Sequence, residues 1–190
     1  LVLSDEVYRE LPTDTPQPSL AEVTDTAIVT TSVSKAWAGP GLRVGWAQGP
    51  PELLAPARLV HNAMTTAPAR PSQLAAAALL RDSPRVLAQS RAELAARWNL
   101  VEQHAPAWVR AAGRPVGGFY LWVPVPAEGT DEDLAAWVVG LRDRGGVSVI
   151  PGSAFGPGGQ RHIRISIGGP EDELVEGLRR MSTYAPEVGL

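Results

Sequence analysis

The sequence has no cysteine, only three histidines and no long run of apolar residues. Without cysteine, the chain cannot form a disulfide framework, a thiolate metal site or a thiol nucleophile. The three histidines are scattered, at positions 61, 104 and 162, which argues against a histidine metal centre. No apolar run reaches the roughly 18 residues that a membrane-spanning helix needs.

Positive charge is not in excess either, because 17 Lys and Arg stand against 20 Asp and Glu and the net charge is −3. The composition therefore gives no electrostatic indication of binding to nucleic acid or to an anionic membrane surface. The 190 residues are 44% hydrophobic, which is enough to bury a substantial core in one large or two small domains. We expect a protein of mixed secondary structure in the cytoplasm.

Local patterns in the first half of the chain predict short strands followed by helices. Apolar or β-branched runs predict strands at 1–3, 27–31 and 43–47. A first helix should begin at Pro51, and a second should have Ser72 as its N-cap. Because the opening run has the character of the end of a buried strand, we expect a further segment upstream of it.

The second half of the chain begins with the longest predicted helix, at 83–104, and then changes to an α+β pattern. Thr130 and Asp133 form a capping box at the start of a helix that we expect to end at Gly145 in a left-handed conformation. We place a domain boundary in the long helix, which gives domains 1–85 and 86–190. The remaining predicted elements are strands at 119–125, 147–150 and 162–167 and a last helix from Pro170.

Two polar clusters follow the first two predicted strands. The D-E-V-Y segment that begins at Asp5 places an acid and the phenol of Tyr8 on one turn, where open α/β sheets bind their ligands. The same segment also fits a solvated turn in which Asp5 is a local cap. The S-V-S-K segment from Ser32 to Lys35 places an amine at a strand end beside two hydroxyls, where a desolvated amine could react with a carbonyl group. The alternative interpretation of Lys35 is a surface charge.

Two glycine-rich segments are associated with an arginine that can bind an anion. In G-P-G-L-R-V-G at 39–45, the backbone can approach a ligand closely and Arg43 offers a fork of donors for phosphate. This pattern differs from the nucleotide-binding loops and also fits an ordinary turn. Near the C-terminus, P-G-S-A-F-G from Pro151 precedes a strand in which Arg164 alternates with two isoleucines and so points to the opposite face. Arg164 there suits a carboxylate receptor or a structural ion pair.

These segments are more informative together than singly. D-E-x-Y comes first, then S-x-S-K with an arginine eight residues after the lysine, then P-G-x-x-F-G and R-x-S near the end. This order and spacing resembles the aspartate-aminotransferase-like (class I/II) family of fold-type I pyridoxal-phosphate (PLP) enzymes. The resemblance extends from Asp5 to the last helix.

The resemblance implies an α/β fold in which 1–85 is the C-terminal part of the PLP-binding large domain. Residues 86–190 would be the long connecting helix and an α+β small domain. The implied activity is an aminotransferase that acts on an α-amino acid and a 2-oxo acid, with pyridoxal 5′-phosphate bound covalently to Lys35 and with Lys35 as the proton carrier. The other implied contacts are Asp5 with the ring nitrogen, Tyr8 with the ring 3-oxygen, Ser32, Arg43 and, as a second candidate, Ser34 with the phosphate, and Arg164 with the substrate α-carboxylate.

The resemblance leaves several questions open. Family members carry an upstream segment of similar length that completes the cofactor pocket, so we expect this chain to be part of such an enzyme, and the complete enzyme to be a homodimer. PLP-dependent lyases and cyclases use the same scaffold and lysine. A non-catalytic regulatory or remnant domain, such as one fused to a DNA-binding region, is a further alternative. A chain that is naturally this short should bind the cofactor poorly, because sheet edges and apolar surface would be exposed.

Overall fold

The computed structural model describes residues 1–125 and 130–187 of the chain. Two compact units are present, and the chain passes from one to the other inside its longest helix. The first unit comprises Leu1–Ala92 with Val116–Gly118, and the second begins at Glu93 and contains the other described residues. Among the residues described, no helix is long and apolar enough to cross a membrane.

The first unit contains a three-stranded sheet in the order β1 (Val2–Asp5), β2 (Ala27–Ser32) and β3 (Gly45–Gln48). β1 runs parallel to β2, and β3 runs antiparallel to β2 with Ser32 opposite Gly45. The carboxyl ends of β1 and β2 and the amino end of β3 therefore lie at the same edge of the sheet. All three predicted strands are present, but β3 begins later than predicted because Arg43 has a left-handed backbone, which strand geometry does not allow.

Helices follow the sheet, namely α1 (Pro51–Met64), α2 (Arg70–Arg81) and the start of α3 (Ser83–His104). The prediction that Ser72 caps α2 is wrong, since the N-cap is Ala69. A proline lies in the first turn of α2, where its fixed φ suits helix initiation, and the helix therefore starts before Ser72.

The second unit contains α4 (Ala107–Arg110), β4 (Tyr120–Pro124), α5 (Asp131–Asp143), β5 (Ile150–Pro151), β6 (His162–Ser166) and α6 (Glu171–Glu187). Its sheet has the order β4-β6-β5 and is antiparallel throughout. One face of the sheet is buried, and the core is formed by Leu121, Val123, Ile163 and Ile165 together with the apolar sides of α5 and α6. The strand predicted at 147–150 is shorter than expected, because its ladder with β6 begins only at Ile150.

The α5 helix confirms the capping box, in which the Thr130 hydroxyl accepts from the Asp133 amide and the Asp133 carboxylate accepts from the Thr130 amide. Its predicted core face is also confirmed, since all four of its members are buried. The predicted left-handed cap is displaced by one residue: Gly146 has φ +68°, whereas no positive φ occurs at Gly145. The four core-face residues are Leu134, Trp137, Val138 and Leu141.

Candidate active site

Six of the predicted site residues lie at one edge of the first unit's sheet, on segments that adjoin the strand ends. The parallel pairing of β1 and β2 places both carboxyl ends there, and the antiparallel pairing of β3 adds the loop that precedes its first residue. This is the edge at which open α/β sheets place their ligands. Asp5 ends β1, Tyr8 follows it in a turn, Ser32 ends β2, Ser34 and Lys35 lie in the next turn, and Arg43 precedes β3.

The turn that carries Lys35 is anchored on both sides by buried residues. Val33 and Ala36 are completely buried, whereas the lysine between them is half-buried. The Lys35 carbonyl accepts a hydrogen bond from the Ala38 amide at 3.1 Å, and the Gly39 amide donates to the Val33 carbonyl at 2.9 Å. The backbone position of the amine is therefore fixed by local packing and hydrogen bonds.

The amine of Lys35 lies near the phenol ring of Tyr8, with Nζ 5.7 Å from the ring centroid. The Tyr8 ring packs against Gly118, where a Cβ atom would lie 3.4 Å from Tyr8 Cδ1. Gly118 has φ +80°, a conformation that favours glycine, and its amide donates to the Leu11 carbonyl at 2.8 Å. The G-G pair before β4 thus supports the position of Tyr8.

The two acidic residues of the D-E-V-Y segment have different environments. Glu6 has a structural role, because its Oε1 accepts from the Leu20 amide at 2.8 Å and its carboxylate lies 3.5 Å from Arg9. Asp5 is exposed, and its Oδ1 accepts a long hydrogen bond of 3.3 Å from the Val7 amide. A carboxylate can accept more than one hydrogen bond, so this local cap does not exhaust the capacity of Asp5 to bind a ligand.

The turn after β2 and the loop before β3 form the other side of this edge. The Ser34 amide donates to Ser32 Oγ at 3.2 Å, which orients the hydroxyl. The Val33 amide donates to the Val44 carbonyl at 3.2 Å and joins the two segments. Arg43 is exposed and donates from Nη1 to the Pro40 carbonyl at 3.0 Å. Its φ of 55° is in the left-handed region, which costs a residue other than glycine about 1–2 kcal/mol.

The seventh predicted site residue, Arg164, belongs to the second unit. Ile163 and Ile165 are buried, and the half-buried Arg164 points to the opposite face of the sheet, which confirms the prediction. The guanidinium Cζ lies 4.4 Å from the centroid of the Tyr120 ring and 4.8 Å from that of Phe155. Within 1–125 and 130–187, no carboxylate forms an ion pair with Arg164. The structural ion pair that the sequence allowed is therefore not formed among the described residues.

The P-G-x-x-F-G motif has a structural explanation in the turn that carries Phe155. A Cβ atom at Gly152 would collide with the Gly159 carbonyl and would lie 2.9 Å from Cη2 of Trp122, so this position requires glycine. Gly156 closes the turn with φ +109°. The two glycines fix the path of the loop, and the phenylalanine between them lies against Arg164.

A cavity of about 460 Å³ in the second unit is lined by none of the seven predicted site residues. Leu174, Leu178 and Met181 form part of its apolar wall. Glu176 lies at its margin, and hydrogen bonds from two neighbouring arginines lower the pKa of that carboxyl to about 2. The acidic group is therefore ionised and already paired, which does not suit proton transfer.

Two features of the site are not apparent from motif spacing. Tyr120 and Phe155 flank Arg164, although ring contacts of this kind depend on strand register and loop path. Lys35, by contrast, can be singled out from the composition alone: it is the only lysine in the sequence, and the other 16 residues counted as Lys or Arg are arginine.

Comparison with known proteins agrees with this fold. The sequence profile of the family described as aminotransferase class I and II matches residues 1–181. The chain is 32% identical to the putative aminotransferase YugH of Bacillus subtilis, over 97% of this chain and 48% of that protein. It is 33% identical to the arginine–pyruvate transaminase AruH of Pseudomonas aeruginosa, over 98% of this chain and 48% of that protein.

Solved structures of aminotransferases have the same fold as this chain. The aromatic aminotransferase of Pyrococcus horikoshii superposes with a TM-score of 0.85 and 27% identity, over 98% of this chain and 51% of that one. The fold class is confirmed as the C-terminal part of a fold-type I enzyme. This chain belongs to the class I and II aminotransferase family. It spans about half the length of the curated relatives it matches.

Proposed function

We propose that this chain is the part of a PLP-dependent aminotransferase that carries the cofactor lysine, and that the enzyme acts on an α-amino acid and a 2-oxo acid. The observation that carries the proposal is the convergence of an amine, a carboxylate, a phenol, a hydroxyl and a guanidinium at one edge of one sheet. The relatives it matches include named transaminases, which favours transamination over the lyase and cyclase alternatives.

These side chains fit the functional groups of pyridoxal 5′-phosphate. Lys35 Nζ would bind the aldehyde carbon and later carry the proton that leaves the substrate Cα. Asp5 would hold a proton on the ring nitrogen, and Tyr8 would donate to the ring 3-oxygen. When bound, the cofactor supplies an electron-poor ring that stabilises negative charge at Cα. The phosphate would be held by Ser32 and Arg43, with Ser34 as a further donor.

For Arg164 we propose binding of the substrate α-carboxylate. Arg164 is half-buried, its guanidinium lies over two aromatic rings, and it has no carboxylate partner among the residues described. A bidentate pair with a carboxylate would satisfy its in-plane donors and fix the substrate orientation. The homodimer, which rests on the family resemblance, and the cytoplasmic location, which rests on the composition, are also part of the proposal.

The test exploits the single lysine of the chain. An Arg58→Lys variant adds a second lysine, at an exposed position of α1, as an internal reference. The protein is incubated with pyridoxal 5′-phosphate, the adduct is reduced with borohydride, and the modified lysines are quantified by peptide mass spectrometry. We expect Lys35 to be modified at cofactor concentrations that leave the lysine at position 58 largely unmodified.

The selectivity should depend on the proposed partners. We expect Asp5→Ala and Arg43→Ala to reduce modification of Lys35 but not of the reference lysine. Equal modification of both lysines, with no effect of either substitution, would show that Lys35 is an ordinary surface amine. Release of a 2-oxo acid from an amino-acid panel, absent in Lys35→Ala, then separates an aminotransferase from a non-catalytic domain.

A further inference from the structure

We propose that Tyr120 and Phe155 are positioning residues for Arg164. The two rings hold the guanidinium so that its in-plane N–H groups are presented to a substrate carboxylate. This inference rests on the proposed function, in which Arg164 binds the α-carboxylate.

The two rings contact the guanidinium at distances typical of cation–π pairs. Cζ lies 4.4 Å from the Tyr120 centroid and 4.8 Å from the Phe155 centroid, within the ~6 Å over which such contacts stabilise a cation. Strand register explains the first contact: Trp122 lies directly opposite Arg164 in the β4–β6 ladder, and Tyr120 is two residues away on the same face. The loop after β5 supplies Phe155.

Phe155 is itself held in place by Trp122, although half of its surface is exposed. The ring centroids of Phe155 and Trp122 lie 5.5 Å apart in an edge-to-face arrangement of 81°. Trp122 also stacks on His162 at 5.3 Å and 12°, and His162 Nδ1 lies 2.7 Å from the Gln160 carbonyl. The ring beside Arg164 is therefore part of a connected row of side chains on one face of the sheet.

An arginine held by aromatic rings is better suited to bind a substrate carboxylate than an arginine already paired with a carboxylate of the protein. A guanidinium that stacks on a ring turns its face to that ring, so its edge, which carries the five N–H donors, stays available. A neighbouring carboxylate would instead occupy that edge, and no described carboxylate does so. Holding a long side chain in one orientation also removes part of the entropy that binding would otherwise cost.

Phe155→Leu is the direct test, since it keeps an apolar side chain but removes the ring. We expect carboxylate binding at Arg164 to weaken by up to roughly thirtyfold, because loss of one cation–π contact lowers the population of the orientation that binds. Phe155→Tyr keeps the ring and should restore binding. Tyr120→Leu tests the second ring in the same way, and Tyr120→Phe, which keeps the ring, is its control. Ile150→Ala is the matched control, because Ile150 faces Arg164 in the ladder and is apolar and 40% exposed but has no ring.

The measurement is NMR of the Arg164 Nε–Hε group in the 190-residue chain, with the signal assigned by its loss in Arg164→Lys. The heteronuclear NOE of Nε reports how firmly the side chain is held, and titration with sodium acetate reports carboxylate binding. We expect Phe155→Leu to lower the NOE and to raise the acetate dissociation constant, while Phe155→Tyr and Ile150→Ala resemble the wild type.

The two readouts separate failure of this inference from failure of the proposed function. An Nε signal that is equally rigid in wild type and Phe155→Leu would overturn the positioning role. An equal loss of rigidity in Ile150→Ala would overturn it too, because general packing would then explain the effect. If the wild-type NOE is high and ring-dependent but acetate does not shift the signal, the positioning role stands and the carboxylate role of Arg164 fails.

Discussion

Arg43 combines a left-handed backbone with a guanidinium that we assign to phosphate binding, so its replacement should separate stability from function. Its φ is 55° and its ψ 42°. An ordinary residue pays about 1–2 kcal/mol for this conformation. Glycine avoids that cost but loses about 0.5–1 kcal/mol through the greater entropy of the unfolded chain.

The difference between these terms predicts that Arg43→Gly is more stable than Arg43→Ala by about 0.5–1 kcal/mol. The comparison between the two variants cancels the loss of the side chain and of its hydrogen bond to the Pro40 carbonyl, because both variants lack them. At positions with ordinary φ the order is reversed, with glycine the less stable residue. The sign of the difference is therefore diagnostic.

The affinity for the cofactor should depend on the Arg43 guanidinium and not on the backbone conformation of residue 43. A charge-assisted hydrogen bond to phosphate contributes about 1.5–3 kcal/mol, which corresponds to a roughly ten- to hundredfold change in dissociation constant. Both variants should therefore bind pyridoxal 5′-phosphate more weakly, by similar factors. Pyridoxal, which has no phosphate, should bind the variants and the wild type equally.

Ala38→Gly is the matched control in the same loop, because Ala38 has φ 51° and carries no donor. We expect it to raise the free energy of unfolding by about 0.5–1 kcal/mol and to leave cofactor affinity unchanged. Urea denaturation gives the unfolding free energies, and borohydride trapping at a series of cofactor concentrations gives the affinities. If Arg43→Ala is at least as stable as Arg43→Gly, the strain is not present. If both variants bind the cofactor as the wild type does, Arg43 is not the phosphate ligand.

Three further predictions concern the stability of the fold. Glu176→Gln should lower the free energy of unfolding above about pH 4.5, where the wild-type carboxylate is ionised in both the folded and the unfolded protein. The difference between variant and wild type should disappear as the pH falls through the folded-state pKa of about 2. A pH-independent difference in urea midpoints would contradict this. Trp37→Phe removes the indole donor that bonds to Ser83 Oγ at 2.7 Å and should cost about 1 kcal/mol or more in the unfolding free energy, whereas no change would mean that the bond contributes nothing. Leu141→Ala at a fully buried position should cost about 2–5 kcal/mol, and Val139→Ala, at an exposed position of the same helix, should cost far less; thermal unfolding of the two checks the order.

Much of the local structure could be predicted from the sequence because its signals are short-range. The capping box at Thr130 and the helical spacing of Leu134 and Leu141 depend on residues within one or two turns, and both predictions are confirmed. The predicted helix ends are less accurate. Gly145 and Gly146 both follow α5 and either could adopt a positive φ, and only the path of the following segment selects Gly146.

The sheet edge that carries Asp5 and Lys35 could be predicted only in part. Polar clusters after predicted strands indicate a sheet edge, but the parallel pairing of β1 with β2 and the antiparallel return of β3 are long-range features. The roles proposed for these residues come from the family resemblance and not from local sequence patterns. Neither route identified Phe155 as a neighbour of Arg164, because that contact depends on the turn that Gly152 makes possible.

The most direct test of the proposed function is a crystal structure of the protein after pyridoxal 5′-phosphate has been reduced onto Lys35. We expect the ring nitrogen to lie within hydrogen-bond distance of the Asp5 carboxylate and the phosphate to contact Ser32 Oγ and the Arg43 guanidinium. A pyridoxyl group attached to Lys35 but extending into solvent, with its phosphate remote from Arg43, would contradict the assignment of this sheet edge as the cofactor site.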